Sequence, residues 1–426
     1  MTSPIRRLSF TRWSTLLLLA TALGACGDED SSDTTQGTDP LQPGQRLMTW
    51  AVSPQDYNET FPGGAFPAPA PLALENQTLR QIMHVSVGGS AARVRLSNLF
   101  GNAPLSVAGA HIARAGAASA IDVASDAPLT FGGQASVSIP AGQEQWSDPS
   151  PLPLSAGEDV AVTLFLSETA PVSTVHGVGS QTQFIVPGNA LSDASFSEPE
   201  TITSYYWVTG IDVGAPGGGV IVTFGDSITD GVGSTPDTNH RYPNFLAERV
   251  RAEARLSGYG VIDEGISGNR ILNDVAGPSA LSRFSRDVND QPGASHVIIL
   301  IGINDLGFSG FVPAQAVTAE QVTSGLSTLI SEAKQAGLQV LLATLTPLQG
   351  TMAPYYSEQT EALRGAVNAW IRTEADVDGV IDFDRATQDP SNPLALQAAY
   401  DSGDHLHPND AGYQAMANAI DLGLLR

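Results

Sequence analysis

The sequence predicts an all-β sandwich of jelly-roll type followed by a doubly wound, three-layer α/β domain. Three observations carry this prediction. Short runs alternating apolar with polar residues crowd the stretch before residue 214, with almost no helical periodicity; strand and helix patterns alternate after residue 219; and Gly214-Ala-Pro-Gly-Gly-Gly219, poor in side chains to pack, separates the two.

From the start of the chain, residues 1–25 read as an export signal. Arg6, Arg7 and Arg12 form a positive head, and Trp13 to Leu23 form an apolar stretch short for a bilayer span. The segment ends in Leu23-Gly24-Ala25-Cys26, which resembles a bacterial lipobox. That resemblance implies lipidation of Cys26 and an exported lipoprotein of the cell envelope, held to a membrane by lipid alone. Cys26 is the only cysteine, so no intramolecular disulfide can form and stability rests on the core. Residues 26–46 are polar, acidic and nearly free of large apolar side chains, as a flexible linker is.

Residues 47–213 hold the strand-like runs His84–Val87, Ala92–Ser97, Pro104–Val107, Ala135–Ile139 and Asp159–Leu166. Gly88-Gly89-Ser90 suggests a hairpin between the first two. After the 214–219 hinge, residues 220–426 alternate. The runs Val220–Phe224, Val261–Asp263, Val297–Ile301, Val340–Thr344 and Val380–Phe383 suit parallel strands buried on both faces. Between them, Pro243–Arg255, Glu320–Gln335 and Glu358–Ala375 have helical spacing, with Thr318 and Gln321 as a capping box and Gly337 as a stop. Asp410 is placed to cap a last helix, Ala411–Leu422.

The formal net charge is −24, and loss of residues 1–25 removes three arginines and no acid, giving −27. Such a surface repels phosphate backbones and anionic headgroups, which excludes nucleic acid as a partner and favours a neutral substrate. The seven histidines and single cysteine show no His-x-x-x-His or paired-cysteine spacing, and Gly217-Gly-Gly219 lies before a strand rather than after one. No metal or cofactor is expected.

The chemistry concentrates in four places. Ile221-Val-Thr-Phe-Gly-Asp-Ser-Ile-Thr-Asp-Gly231 delivers Ser227 from an apolar strand into a tight polar turn, where a nucleophile belongs. Asp404-His-Leu-His407-Pro408 offers a base and an orienting acid. Ser267-Gly268-Asn269 and Ile301-Gly302-Ile303-Asn304-Asp305 each follow an apolar run and can supply oxyanion donors. His405 rivals His407, and Asp401 and Asp410 rival Asp404; Asp226, Asp230 and Asp305 are read as loop braces.

These four ordered blocks resemble the SGNH hydrolases, a branch of the GDSL esterase and lipase family, over the half of the chain from Gly219 onward. The resemblance implies a flavodoxin-like sheet and a serine esterase with Ser227 as nucleophile, His407 as base and Asp404 as its orienter. The backbone N–H groups of Ser227 and Gly268 and the Asn304 amide would form the oxyanion hole. Glu264 departs from the pattern, and a carboxylate there is expected to narrow or charge the pocket. A β-rich front part is similar to that of secreted arylesterase and carbohydrate acetylesterase members, implying a small-molecule or polysaccharide acyl ester as substrate, acetyl above all. The alternatives are a lipase or lysophospholipase at the membrane surface, or a non-catalytic surface glycan-binding protein, for which Trp50, Trp146 and Trp207 are candidate platforms.

Overall fold

The structure, a computed structural model, describes residues 45–60, 69–215 and 217–425. The signal segment, Cys26 and most of the 26–46 linker lie outside the described residues. The described residues form one compact unit.

The principal front strands are β1 (Arg46–Ala51), β2 (Gln77–His84), β3 (Ser90–Ser97), β4 (Gly109–Arg114), β5 (Ala127–Pro128), β6 (Glu144–Trp146), β7 (Asp159–Leu166), β8 (Thr174–His176), β9 (Gln183–Pro187), β10 (Glu200–Ile202) and β11 (Val208–Gly214). They build two main antiparallel sheets, β1-β11-β3-β6 and β10-β9-β2-β7-β4-β5, with β8 in a small third sheet. Strand β7 shows why the pattern folds this way. The two-residue period of a strand puts Val160, Val162, Leu164 and Leu166 on one face in the main core, while Ala161 joins Ile82, Ala113 and Phe184 in a second cluster.

The expected hairpin at Gly88-Gly89-Ser90 is not formed. Strand β2 ends at His84 and β3 belongs to the other sheet, so this turn carries the chain between sheets. Local alternation reports that a residue is half-buried, not which sheet it joins.

The second part holds β12 (Val220–Gly225), α1 (Ser227–Asp230), α2 (Tyr242–Ala252), β13 (Gly260–Gly265), α3 (Ala280–Phe284), β14 (Ala294–Leu300), α4 (Ile303–Gly307), α5 (Ala319–Gln335), β15 (Gln339–Ala343), α6 (Glu358–Thr373), β16 (Gly379–Ile381), α7 (Phe383–Thr387) and α8 (Asp410–Ala419). The sheet is parallel throughout, in the order β13-β12-β14-β15-β16. This is the flavodoxin-like order, and its switch point lies between β12 and β14, where ligands bind beyond the carboxyl ends of the strands. Thr318 and Gln321 make the capping box of α5. Helix α8 is capped by Asn409, which accepts from Gly412 N, rather than by Asp410. Asp410 instead accepts from Thr235 N at 2.7 Å and pairs with His240 at 2.9 Å.

The two parts share one core. Leu47, Met48 and Val87 pack in the same apolar cluster as Val220, Val261 and Ile262. Strand β1 lies beside β13, the outer strand of the parallel sheet. Val261 N donates to Ser86 Oγ at 3.0 Å, and Met48 N to the Pro292 carbonyl at 3.0 Å. A Cβ at Gly260 would stand 2.3 Å from the Met48 carbonyl oxygen, so this approach needs glycine. The front part thereby covers a strand edge that would otherwise invite pairing with another chain.

Candidate active site

Strand β12 runs fully buried into Asp226, whose carboxylate accepts from Ile228 N at 3.1 Å and starts the four-residue helix α1. Ser227 is therefore the first helical residue, held in a tight turn at the switch point. Gly231, in the left-handed region at φ 90°, ends the helix. Burial pushes the Asp226 carboxyl up to about 7, and its Oδ2 has no partner among the described residues.

The loop before α8 brings the base to this turn. His407 Nε2 lies 2.8 Å from Ser227 Oγ, and His407 Nδ1 lies 2.5 Å from Asp404 Oδ2. Asp404 Oδ1 accepts from the backbone N–H of Leu406 at 2.9 Å and of His407 at 2.8 Å. One carboxylate thus folds the turn with one oxygen and orients the imidazole with the other, which is why a three-residue spacing suffices. Burial alone would raise the Asp404 carboxyl, but the hydrogen bonds and charge of His407 outweigh it and hold the group well below the usual carboxylate range. His405 points elsewhere: its Nδ1 lies 2.5 Å from Asp401 Oδ2 and its side chain is 53 % exposed.

The candidate donors lie just beyond the ends of β12, β13 and β14. Among the described residues no acceptor takes the backbone N–H of Ser227 or Gly268. Gly268 has φ 81°, and a Cβ there would meet the Ala276 Cβ at 2.9 Å. Asn304, buried at the start of α4, donates one Nδ2 proton to the Asn269 carbonyl at 3.0 Å and accepts at Oδ1 from Tyr355 Oη at 2.9 Å. Its second Nδ2 proton has no acceptor among the described residues.

The other carboxylates brace this arrangement. Asp305 accepts from Ile271 N and Leu272 N at 2.8 and 3.1 Å, while burial pushes it up to about 6. Asp230 Oδ2 accepts from Ser267 N and Oγ at 2.9 and 2.5 Å, and its Oδ1 meets Nε2 of the wholly buried His176, from β8, at 3.0 Å. His176 Nδ1 faces the Ser53 carbonyl at 3.0 Å. Acceptors at both nitrogens call for a proton on each. Burial would lower the His176 pKa, but Asp230 and the Ser53 carbonyl raise it overall.

Glu264 corrects an expectation. It does not line the site: it is buried toward the front part, with Oε2 at 2.6 Å from Ser53 Oγ. Arg283, also absent from the sequence reading, is fully buried beside it. It donates to the Gly225 carbonyl at 2.8 Å, the Glu264 carbonyl at 2.9 Å and Asn269 Oδ1 at 3.0 Å, tying β12, β13 and the Gly268 loop together. Neither His176, Tyr355 nor Arg283 sits in a motif, and only the tertiary fold brings them here.

Of the aromatic candidates, Trp50 and Trp207 are core residues, and the Trp146 ring is faced by the Arg93 and Arg95 guanidiniums at 4.9 and 5.4 Å. Among the described residues no group of three His, Cys, Asp or Glu side chains is arranged to hold a metal ion.

A flavodoxin-like sheet with a serine, a histidine and an amide gathered at its switch point defines the class, a carboxylic ester hydrolase. Residues 223–415 match the GDSL-like lipase/acylhydrolase family. Solved structures similar to the chain include an acetylxylan esterase from Geobacillus stearothermophilus, 23 % identical, covering 49 % of this chain and 94 % of its own, with a TM-score of 0.37. A GDSL-like lipase from Bacteroides thetaiotaomicron is 19 % identical over 48 % of this chain and 87 % of its own, with a TM-score of 0.34. An α/β hydrolase from the metagenome of Lake Arreo is 21 % identical over 49 % and 94 %, with a TM-score of 0.37. No curated protein matches the chain.

Proposed function

We propose that the protein is a serine esterase that cleaves short acyl esters, acetyl groups on carbohydrate above all, through Ser227, His407 and Asp404. The observation that carries this reading is the unbroken line from Asp404 Oδ2 through the His407 ring to Ser227 Oγ, at 2.5 and 2.8 Å. His407 Nε2 takes the hydroxyl proton as Oγ attacks the ester carbonyl, and Asp404 stabilises the imidazolium that forms. The carbonyl oxygen becomes an anion facing the N–H groups of Ser227 and Gly268 and the Asn304 amide. Collapse expels the alcohol, which receives the proton from His407, and water repeats the sequence on the acyl-enzyme.

A net charge of −24 supports a neutral carbohydrate ester over an anionic substrate. A second reading, a lipase or lysophospholipase, draws on exposed apolar side chains near the site. Met352 is 70 % exposed on the loop between Gly350, which lies under His405, and Tyr355, which reaches Asn304; Phe311 and Leu394 are exposed nearby on the chain following α4 and on a hairpin bonded to Gln349. A series of p-nitrophenyl esters, then acetylated xylan and lysophospholipid, separates the two. The first reading expects kcat/KM to peak at acetyl or propionyl, with acetate released from xylan. A peak at long acyl chains, with lysophospholipid turnover, would replace it by the second.

For location we propose an exported lipoprotein anchored through Cys26. Mass spectrometry of the mature N-terminus is expected to find lipid on Cys26 and none in a Cys26→Ser variant. An unmodified N-terminus at another residue would contradict the anchor.

A further inference from the structure

A side-chain amide is nearly symmetric in shape but not in charge. Only one of its two orientations lets Asn304 donate to an oxyanion; in the other, lone pairs would face the developing negative charge and repel it. Whatever fixes that orientation is as necessary to the hole as the amide. The reasoning below rests on the oxyanion reading proposed above.

Two groups hold the amide. The Asn269 carbonyl, 3.0 Å from Nδ2, can only accept, so a reversed amide would set two oxygens against each other there. That carbonyl is itself fixed, because the Asn269 side chain donates to the Ala276 and Pro278 carbonyls, both at 2.9 Å, and accepts from Arg283 Nε at 3.0 Å. At the other end Tyr355 Oη lies 2.9 Å from Oδ1. With Oδ1 satisfied and one Nδ2 proton engaged, a single N–H is left over.

We infer that Tyr355 is a positioning residue for the oxyanion hole: its hydroxyl locks the Asn304 amide with the free N–H toward the substrate and, by donating to Oδ1, makes that N–H a stronger donor. A hydrogen bond accepted at an amide oxygen polarises the nitrogen's protons in the same chain. Tyr355 suits the task in two further ways. Its ring is held independently of its hydroxyl, set edge-on to Phe308 at 6.2 Å and so close over Gly307 that a Cβ there would stand 2.3 Å from it. Burial, with Asp226, Asp305 and Asp404 nearby, raises the phenol well above its ordinary pKa, so it remains a donor at every working pH. The residue comes from the loop between β15 and α6, 51 positions from Asn304.

The test is a double-mutant cycle of Tyr355→Phe and Asn304→Ala in the full chain, reading kcat and KM on p-nitrophenyl acetate together with the melting temperature. Phenylalanine keeps the ring and removes only the hydroxyl. Loss of one neutral hydrogen bond corresponds to about a two- to tenfold fall in kcat, expected with KM unchanged. In the Asn304→Ala background the same substitution is expected to change kcat by less than about twofold, because the group it acts through is gone. A purely structural tyrosine would shift the melting temperature but would lower kcat equally in both backgrounds, or in neither, and either result overturns the inference. Asn304→Ala with undiminished kcat would instead remove the oxyanion reading itself, whereas a large Asn304→Ala loss with an additive Tyr355→Phe loss removes only the positioning role.

Discussion

His407 and Asp404 each stand beside a residue of the same kind, His405 and Asp401, that does something else. His405 is two positions from His407, yet it pairs with Asp401 and is half in solvent. Ser227→Ala and His407→Ala are therefore expected to lower kcat on p-nitrophenyl acetate by roughly 10⁴-fold, and His405→Ala to leave it near wild type; measured with far-UV dichroism to confirm folding, equal losses at the two histidines would reverse the assignment. Asn304→Ala is expected to cost about 10² to 10³ in kcat with little change in KM, whereas a raised KM at constant kcat would make Asn304 a mere ground-state contact. The residues that the geometry gathers were legible because ester chemistry dictates their types, because Ser227, Gly268 and Asn304 each follow an apolar strand, and because Asp404 and His407 share one short segment. Tyr355 was not, since a tyrosine in an irregular loop carries no signal until the fold sets it 2.9 Å from Asn304. Glu264 was misread for a different reason: neighbouring strand residues face opposite sides, and sequence alone does not say that one side of β13 is covered by the front part.

At the scale of elements, the contact between β13 and the front part contains a proton that can be counted. Ser53 Oγ lies 2.6 Å from Glu264 Oε2, 2.9 Å from Asp287 Oδ2 and 2.9 Å from Arg283 Nη1. The hydroxyl has one proton and the guanidinium supplies its own, so only one carboxyl can receive from Ser53 and the other must bring a proton. Asp287 also faces Arg286; burial would raise it, but Arg286 and Arg283 hold it down. Glu264 is the one that stays neutral, raised well above its usual value by burial and by Asp287. A carboxyl raised in the fold favours folding only while it is protonated, so stability falls as pH climbs past the unfolded-chain value of about 4.3 and toward the folded one. Glu264→Gln keeps the shape and removes that loss. Its melting temperature is expected to match wild type near pH 4 and exceed it by a growing margin above, and a variant less stable than wild type at pH 8 would mean that Glu264 is an ionised, paired group. The five parallel strands and the α5 capping box were legible because a buried parallel strand and a capped helix are local patterns. The Gly88 sheet switch was not, because its partner strands are distant in sequence.

Taken whole, the front part and the α/β part pack around one core. The glycine-rich run at 214–219 marks a change of pattern, but the residues across the contact, such as Met48, Val87 and Val261, look in sequence like any other core residues. A chain beginning at Gly217 would expose the β13 edge, strip Glu264 of Ser53 and leave Asp230 without His176. It is expected not to fold on its own, and the full chain is expected to unfold in one cooperative thermal transition. Two separated calorimetric transitions, or a folded fragment active on small aryl esters, would show the front part to be an independent module.

The claim on which the rest depends is that Ser227 carries the acyl group, and mass spectrometry of the enzyme quenched during turnover of p-nitrophenyl acetate tests it most directly. The account predicts an acetyl group on the peptide containing Ser227, and a Ser227→Ala protein that is folded, unlabelled and inactive. A folded Ser227→Ala protein that still turns the ester over at a near wild-type rate would contradict it.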